Sequence, residues 1–160
     1  MYKSSLLGVS QSQSVCVVFG IFSIERYLDV FLDSFLKSSD LTRADFDALY
    51  FLRFRVPSSG VTLSDFSRSL KVSTGTASDR ITRLQGYGFV RRKSNPDRMN
   101  GTIVSLTKKG ITVVDSTLAA FAPFSDNLLG RALASDELDA YLKLNSKLLA
   151  FLEDNRHKSK

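Results

Sequence analysis

Two helix-start signals stand eleven residues apart in this chain, Thr62 in "VTLSDF" and Ser73 in "KVSTGT", and their spacing constrains the fold more than any other feature. At the first, Thr62 and Asp65 make a capping-box-like pair, and Val61 with Phe66 makes a hydrophobic staple. The helix so opened reaches only about Leu70 before Ser73 opens the next one. Two helices joined by so few residues must turn sharply, which is the helix-turn-helix arrangement. The joining segment lacks the glycine often found in such turns.

The flanking pattern extends this unit on both sides. "LTRADF" repeats the start signal, with Thr42 and Asp45 as the box and Leu41 and Phe46 as the staple, and its helix runs to about Phe54, where "RVPSSG" breaks it. After Gly88, Phe89 to Lys93 and Thr102 to Leu106 are β-prone runs around a loop with Asn-Pro-Asp and Asn-Gly, a hairpin with a basic tip. Thr107 is expected to cap a further helix, "KKGITVVDSTLAAF", which Pro123 kinks or ends. In the closing helix Ser135 is the expected cap, Asp136 and Glu137 favour the first turn, and Leu138, Tyr141, Leu142, Leu148, Leu149 and Leu152 keep helical spacing. The tail "NRHKSK" is expected to fray. There is no internal repeat and no low-complexity linker.

From Ile21 to Leu36 apolar residues occupy most of a helix circumference, among them Phe22, Ile24, Tyr27, Leu28, Phe31 and Phe35. Such a helix must be buried on most sides, and a 160-residue monomer could hardly enclose it, so a subunit interface is expected. No apolar run approaches the ~20 residues of a membrane span. "VCVVFGIF" sits behind the polar "SQSQS" and lacks a small-x-small cleavage site, so a cytoplasmic chain is expected. Cys16, the one cysteine, cannot form an internal disulfide or a thiolate metal site.

The net charge of +6 is unevenly spread. Arg53 to Lys109 holds 12 Lys/Arg against 3 acids, while the remainder holds 10 Lys/Arg and 13 acids. A basic centre between mildly acidic ends suits a polyanion, although a solvated basic face would give the same charge.

The residues of the Ser73 helix favour the polyanion. With Ile81 on the inner face, at about 100° per residue, Ala77 and Leu84 share that face, while Gly75, Thr76, Asp79, Thr82 and Arg83 point away and Ser78 and Arg80 flank them. The outward face is small at its start, as a helix entering a major groove requires, since bulky apolar groups would hold the backbone away from base edges. Hydroxyls and the first N–H groups suit phosphate oxygens, and Arg83 has the geometry for a bidentate contact to guanine. Asp79 faces DNA at a cost in repulsion, unless it accepts from cytosine N4 or orients Arg83. An ordinary exposed helix start explains Ser73, but not the run of small residues followed by Arg91, Arg92, Lys93 and Arg98.

The element order, "VSTGTASDRITRLQGYGFVRRKSNPDRMNGTIVSLTKKG" and "ALASDELDAYLKLNSKLL" resemble the MarR family of winged helix-turn-helix regulators, over nearly all of Ile21 to Leu152. The resemblance implies a homodimer built from the first and last helices, a recognition helix in the major groove and a wing reaching the minor groove. It also implies repression or activation of nearby genes, often relieved by a small phenolic or lipophilic effector. Its recognition positions fall on Ser73, Thr74, Gly75, Thr76, Ser78, Asp79, Thr82 and Arg83. Members often carry a basic residue where Asp79 stands, and in the wing the usual Asp-x-Arg becomes Asp97-Arg98-Met99 in a hairpin one residue longer, with Arg98 taking the minor-groove role.

The expected fold is therefore mainly α with a small β-hairpin wing. It divides into an N-terminal segment and first dimerisation helix (1–40), a winged helix-turn-helix DNA-binding region (41–107, recognition helix about 73–87, wing about 89–106), and C-terminal dimerisation helices with a basic tail (108–160). The expected function is that of a sequence-specific double-stranded DNA-binding regulator, with repression the expected sign, acting on a pseudo-palindromic operator. Some relatives sense oxidants through a cysteine near the first helix; Cys16 lies between Val15 and Val17 with no Lys, Arg or His nearby, so a buried inert thiol is expected instead. Phe22, Tyr27, Phe31, Phe46 and Tyr50 are candidates for an effector cleft or for core and dimer packing. No cofactor, metal or enzymatic activity is expected, since the one histidine, His157, lies in the tail and no nucleophile-base pair is visible. The alternatives are an architectural or protein-interaction winged helix without ligand control, or a thiol-based redox-sensing regulator using Cys16.

Overall fold

The computed structural model describes residues 12–37, 41–96 and 101–155. They form α1 (Gln13–Leu36), α2 (Arg43–Phe54), β1 (Val61–Thr62), α3 (Leu63–Ser69), α4 (Thr74–Gly86), β2 (Val90–Ser94), β3 (Thr102–Leu106), α5 (Lys108–Gly130) and α6 (Ser135–Asn155). The chain divides into two compact units, 1–114 and 115–160.

In the first unit the starts of α2, α3 and α4 are those the sequence marks. Thr42 and Asp45 form a reciprocal capping box, with the Thr42 hydroxyl accepting from the Asp45 N–H at 3.1 Å. At α3 the Thr62 hydroxyl likewise accepts from the Asp65 N–H at 3.1 Å, and Leu41, Phe46 and Phe66 of the staples are buried. The core gathers Leu49 and Leu52 of α2, Phe66 of α3, Ala77, Ile81 and Leu84 of α4, and Val90 and Val104 of the sheet. Each presents one face per turn or per strand, so four helical and strand surfaces close on one another.

The helices on either side of the tight turn end alike. After α3, the Lys71 N–H donates to the Arg68 carbonyl (3.3 Å) and the Val72 N–H to that of Ser67 (3.1 Å). After α4, the Gly88 N–H donates to Gln85 (2.9 Å) and the Phe89 N–H to Leu84 (3.0 Å). Both are Schellman motifs, which need a left-handed residue just past the helix; here these are Lys71 (φ 55°) and Gly88 (φ 75°). The sharp turn without a glycine is thus made by a lysine in a glycine-like conformation.

The wing is a three-stranded antiparallel sheet in the order β1-β3-β2, not a hairpin alone. Val61 pairs with Val104 and Thr62 with Ile103, while β2 and β3 pair from Val90–Leu106 to Ser94–Thr102. β1 adds a third strand from the two residues that also open α3. The Thr107 hydroxyl accepts from the Gly110 N–H (3.0 Å) and donates to the Gly88 carbonyl (2.7 Å), so the end of α4 and the start of α5 share one residue. Gly110 leaves the room this needs: a Cβ there would lie 2.0 Å from the Phe89 carbonyl oxygen.

Elsewhere the elements depart from the sequence reading. α1 begins at Gln13, eight residues before Ile21, because Ser12 caps it by accepting from the Val15 N–H. Cys16 consequently lies on α1 and is exposed on the single chain, not buried. α5 runs through Pro123 to Gly130. Proline removes one helical bond, to the Ala119 carbonyl, but Ala119 and Pro123 are both exposed, so that carbonyl can turn to water. Ser135 is the first helical residue of α6; Ala134 precedes it, and Glu137 Oε2 accepts from the Ala134 N–H at 2.8 Å. A longer carboxylate reaching back from the third position thus replaces the serine cap. The tail after Asn155, with His157, lies outside the described residues.

Two helix surfaces remain uncovered. α1 exposes Val17 (57%), Phe19 (65%), Phe22 (58%), Tyr27 (69%) and Val30 (64%). In the second unit α6 has no buried residue, although Tyr141, Leu142, Leu148, Leu149 and Leu152 keep helical spacing. Among the described residues no helix is long and apolar enough to cross a membrane.

Candidate nucleic-acid interface

The interface is built on α4. Ser73 caps it, accepting from the Thr76 N–H at 3.0 Å, with its hydroxyl 2.8 Å from that of Thr76. Ala77, Ile81 and Leu84 are buried, so Thr74, Gly75, Thr76, Asp79, Thr82 and Arg83 are turned outward and are exposed, with Ser78 half-buried. A Cβ on Gly75 would meet nothing closer than Ser73 Oγ at 3.8 Å. Packing therefore does not demand a glycine there, although it costs a helix about 1 kcal/mol relative to alanine.

Two arginines pin this helix. Arg83 reaches across to Asp45 at the start of α2, donating to Oδ1 from Nε (3.1 Å) and from Nη2. The Asp45 side chain is 2% exposed, and its Oδ2 accepts from the Thr42 hydroxyl at 2.7 Å and the Thr42 N–H at 3.3 Å. One buried carboxylate therefore closes the α2 cap and moors α4, using the four or so acceptor sites of a carboxylate. From the other side, Arg92 of β2 donates through Nη2 to the Ser78 carbonyl (2.9 Å) and the Thr82 hydroxyl (2.9 Å). The wing strand is thereby bonded to the outward face of the helix.

Each sequence-derived site residue has a definite place. Arg83 departs from the expected role: its guanidinium is engaged by Asp45, not held out for a guanine, and not by Asp79 one turn before it. Arg92 folds back onto α4, whereas Arg91 points to the opposite face of the sheet and donates to Ser105 Oγ at 3.1 Å. Lys93 is exposed. Asp97 and Arg98 lie outside the described residues; the strands are closed just before them by the Asn95 N–H donating to the Gly101 carbonyl at 2.8 Å.

Sequence reasoning missed Lys71. It stands exposed in the turn directly before α4, held left-handed, and the missing glycine was the signal that could have found it. The sequence also did not show the cleft of about 320 Å³ at the end of α2, lined by Leu52, Val56 and Ile111 with three cations, Arg53, Arg91 and Lys108, and no acid. None of the five aromatic effector candidates lines it.

A family model described as the MarR family matches residues 39–98, from just before α2 to the wing. An uncharacterised helix-turn-helix-type transcriptional regulator of Bacillus anthracis is 28% identical over 116 residues, 72% of this chain and 75% of the relative. The apo wild-type MarR of E. coli superposes with a TM-score of 0.71 at 26% identity, over 81% of this chain and 93% of that one. The chain is similar to the MarR family in sequence over residues 39–98 and in fold over most of its length. It is thus a winged helix-turn-helix transcription regulator, in which α3 and α4 are the helix-turn-helix and β1 to β3 the wing. Members of the MarR family act by binding DNA, not as enzymes. A mutant of E. coli MarR complexed with operator DNA shares the fold as well, with a TM-score of 0.68 at 24% identity over 86% of this chain and 96% of that one.

Proposed function

We propose that this regulator binds double-stranded DNA sequence-specifically as a homodimer, on a pseudo-palindromic operator, and represses the genes beside it. The outward face of α4 carries the reading: it is small at its start without any packing reason, and it is moored by Arg83 and Arg92, so its N-terminal turns are held rigid for a major groove. A mutant of E. coli MarR, similar in fold, forms a complex with operator DNA, which supports DNA as the partner. Thr74, Gly75, Thr76 and Asp79 face the bases, Lys71 and Lys93 meet phosphates, and Arg98 enters the minor groove. Residues 41–107 form the DNA-binding region, flanked by dimerisation segments at 1–40 and 108–160.

The uncovered surfaces support the homodimer. An α6 with no buried residue and an α1 exposing eleven large apolar side chains need a second copy to bury them. Light scattering on the purified chain is expected to give twice the 17.8 kDa chain mass; a monomer that still selects an operator would remove the dimer from this reading. Effector control rests on the cleft of Arg53, Arg91 and Lys108, which suits a small lipophilic or phenolic anion. Benzoate is expected to raise the melting temperature of the wild type and not that of Arg91→Ala.

A further inference from the structure

We infer that Asp79 makes this regulator demand a cytosine at one position of each operator half-site. The inference rests on the reading of α4 as the DNA-reading helix.

Asp79 is exposed on the side of α4 opposite the buried Ala77 and Ile81. A helical aspartate is ordinarily satisfied by a cation four residues on, and here that residue is Arg83. Arg83 is taken by Asp45, through two donors on one oxygen. Other polar groups of the face are engaged: Ser73 with Thr76, and Ser78 and Thr82 with Arg92. Arg80, next in sequence, projects about 100° away around the helix and does not face Asp79. Among the described residues, the Asp79 carboxylate is left facing outward with its acceptor oxygens open.

An open carboxylate on that face weakens binding to every DNA sequence, because each phosphate repels it. The loss is offset only where a base edge donates to it. In the major groove the donors are cytosine N4 and adenine N6; adenine sets its N7 acceptor beside N6, which repels a carboxylate, so cytosine is the fitting partner. The neighbours allow the approach. One turn earlier on the same side stand Gly75 and Thr76, both small, so nothing bulky keeps the short aspartate side chain from a base edge.

The test compares the wild type with Asp79→Ala and Asp79→Asn. Each is selected against a random duplex pool, then titrated on four duplexes differing only at the indicated position. For the wild type, a cytosine is expected once per half-site, preferred roughly tenfold over the other bases. In Asp79→Ala that position is expected to become indifferent, the others to stay unchanged, and affinity for unrelated duplexes to rise. In Asp79→Asn the preference is expected to move to adenine, whose N6 and N7 match an amide. Both variants are expected to melt with the wild type. If Asp79→Ala binds every duplex more tightly by one factor with its base profile intact, the inference is overturned while the reading of α4 stands. If the wild type selects no motif, both fall.

Discussion

Two left-handed residues bracket the recognition helix. Both Lys71 before it and Gly88 after it complete the same pair of Schellman bonds. At Gly88 that conformation is nearly free, whereas at Lys71 a side chain is carried through it at a cost of about 1 kcal/mol. The difference separates a turn that only has to end a helix from a turn that also has to present something. Strain of this kind persists where the surrounding structure enforces it, and it concentrates at functional sites. Between these turns α4 is moored from opposite sides by Arg83 and Arg92, and Lys71 stands exposed directly before its first turn.

Arg83→Ala unmoors the helix and leaves the buried Asp45 with its Thr42 bonds alone; because Arg83 is itself 46% exposed, about 2 kcal/mol of lost stability is expected in urea unfolding, not the larger loss of a fully buried pair. An unchanged midpoint would show that the ion pair holds nothing. Gly88→Ala puts a Cβ into the left-handed position with only Lys109 Cδ near it, at 3.8 Å, so the conformational term stands alone and about 1 kcal/mol should be lost. Lys71→Gly should do the reverse, gaining somewhat less than 1 kcal/mol net of the freedom glycine adds to the unfolded chain. The same variant should bind DNA several-fold more weakly, with a salt slope shallower by about one. Lys71→Ala keeps the strain and should lose the same binding with little change in stability. If Lys71→Gly stabilises without touching DNA affinity, Lys71 is merely a misplaced residue.

Local rules were legible in the sequence and long-range partnerships were not. Thr42, Thr62 and Ser73 announce their helices because a cap and its box lie within one turn, and Ala77, Ile81 and Leu84 follow from helical spacing. The same spacing correctly turned Arg83 outward, yet its partner lies 38 residues away, and no helical wheel shows that Asp45 intercepts it. Arg92 was visible as a wing cation, but its bonds to Ser78 and Thr82 depend on how β2 crosses α4. β1 has two residues and no alternation to display; only its pairing with β3 makes it a strand. Pro123 does not end α5, because the carbonyl it frees lies at an exposed position and can turn to water.

Selection of duplex DNA from a random pool at ~150 mM salt, where phosphate attraction alone is weakened, tests most directly whether α4 of a dimer reads an operator. An inverted repeat with half-site centres ~34 Å apart is the expected result. Featureless, steeply salt-dependent binding would contradict it and leave an architectural binder in its place.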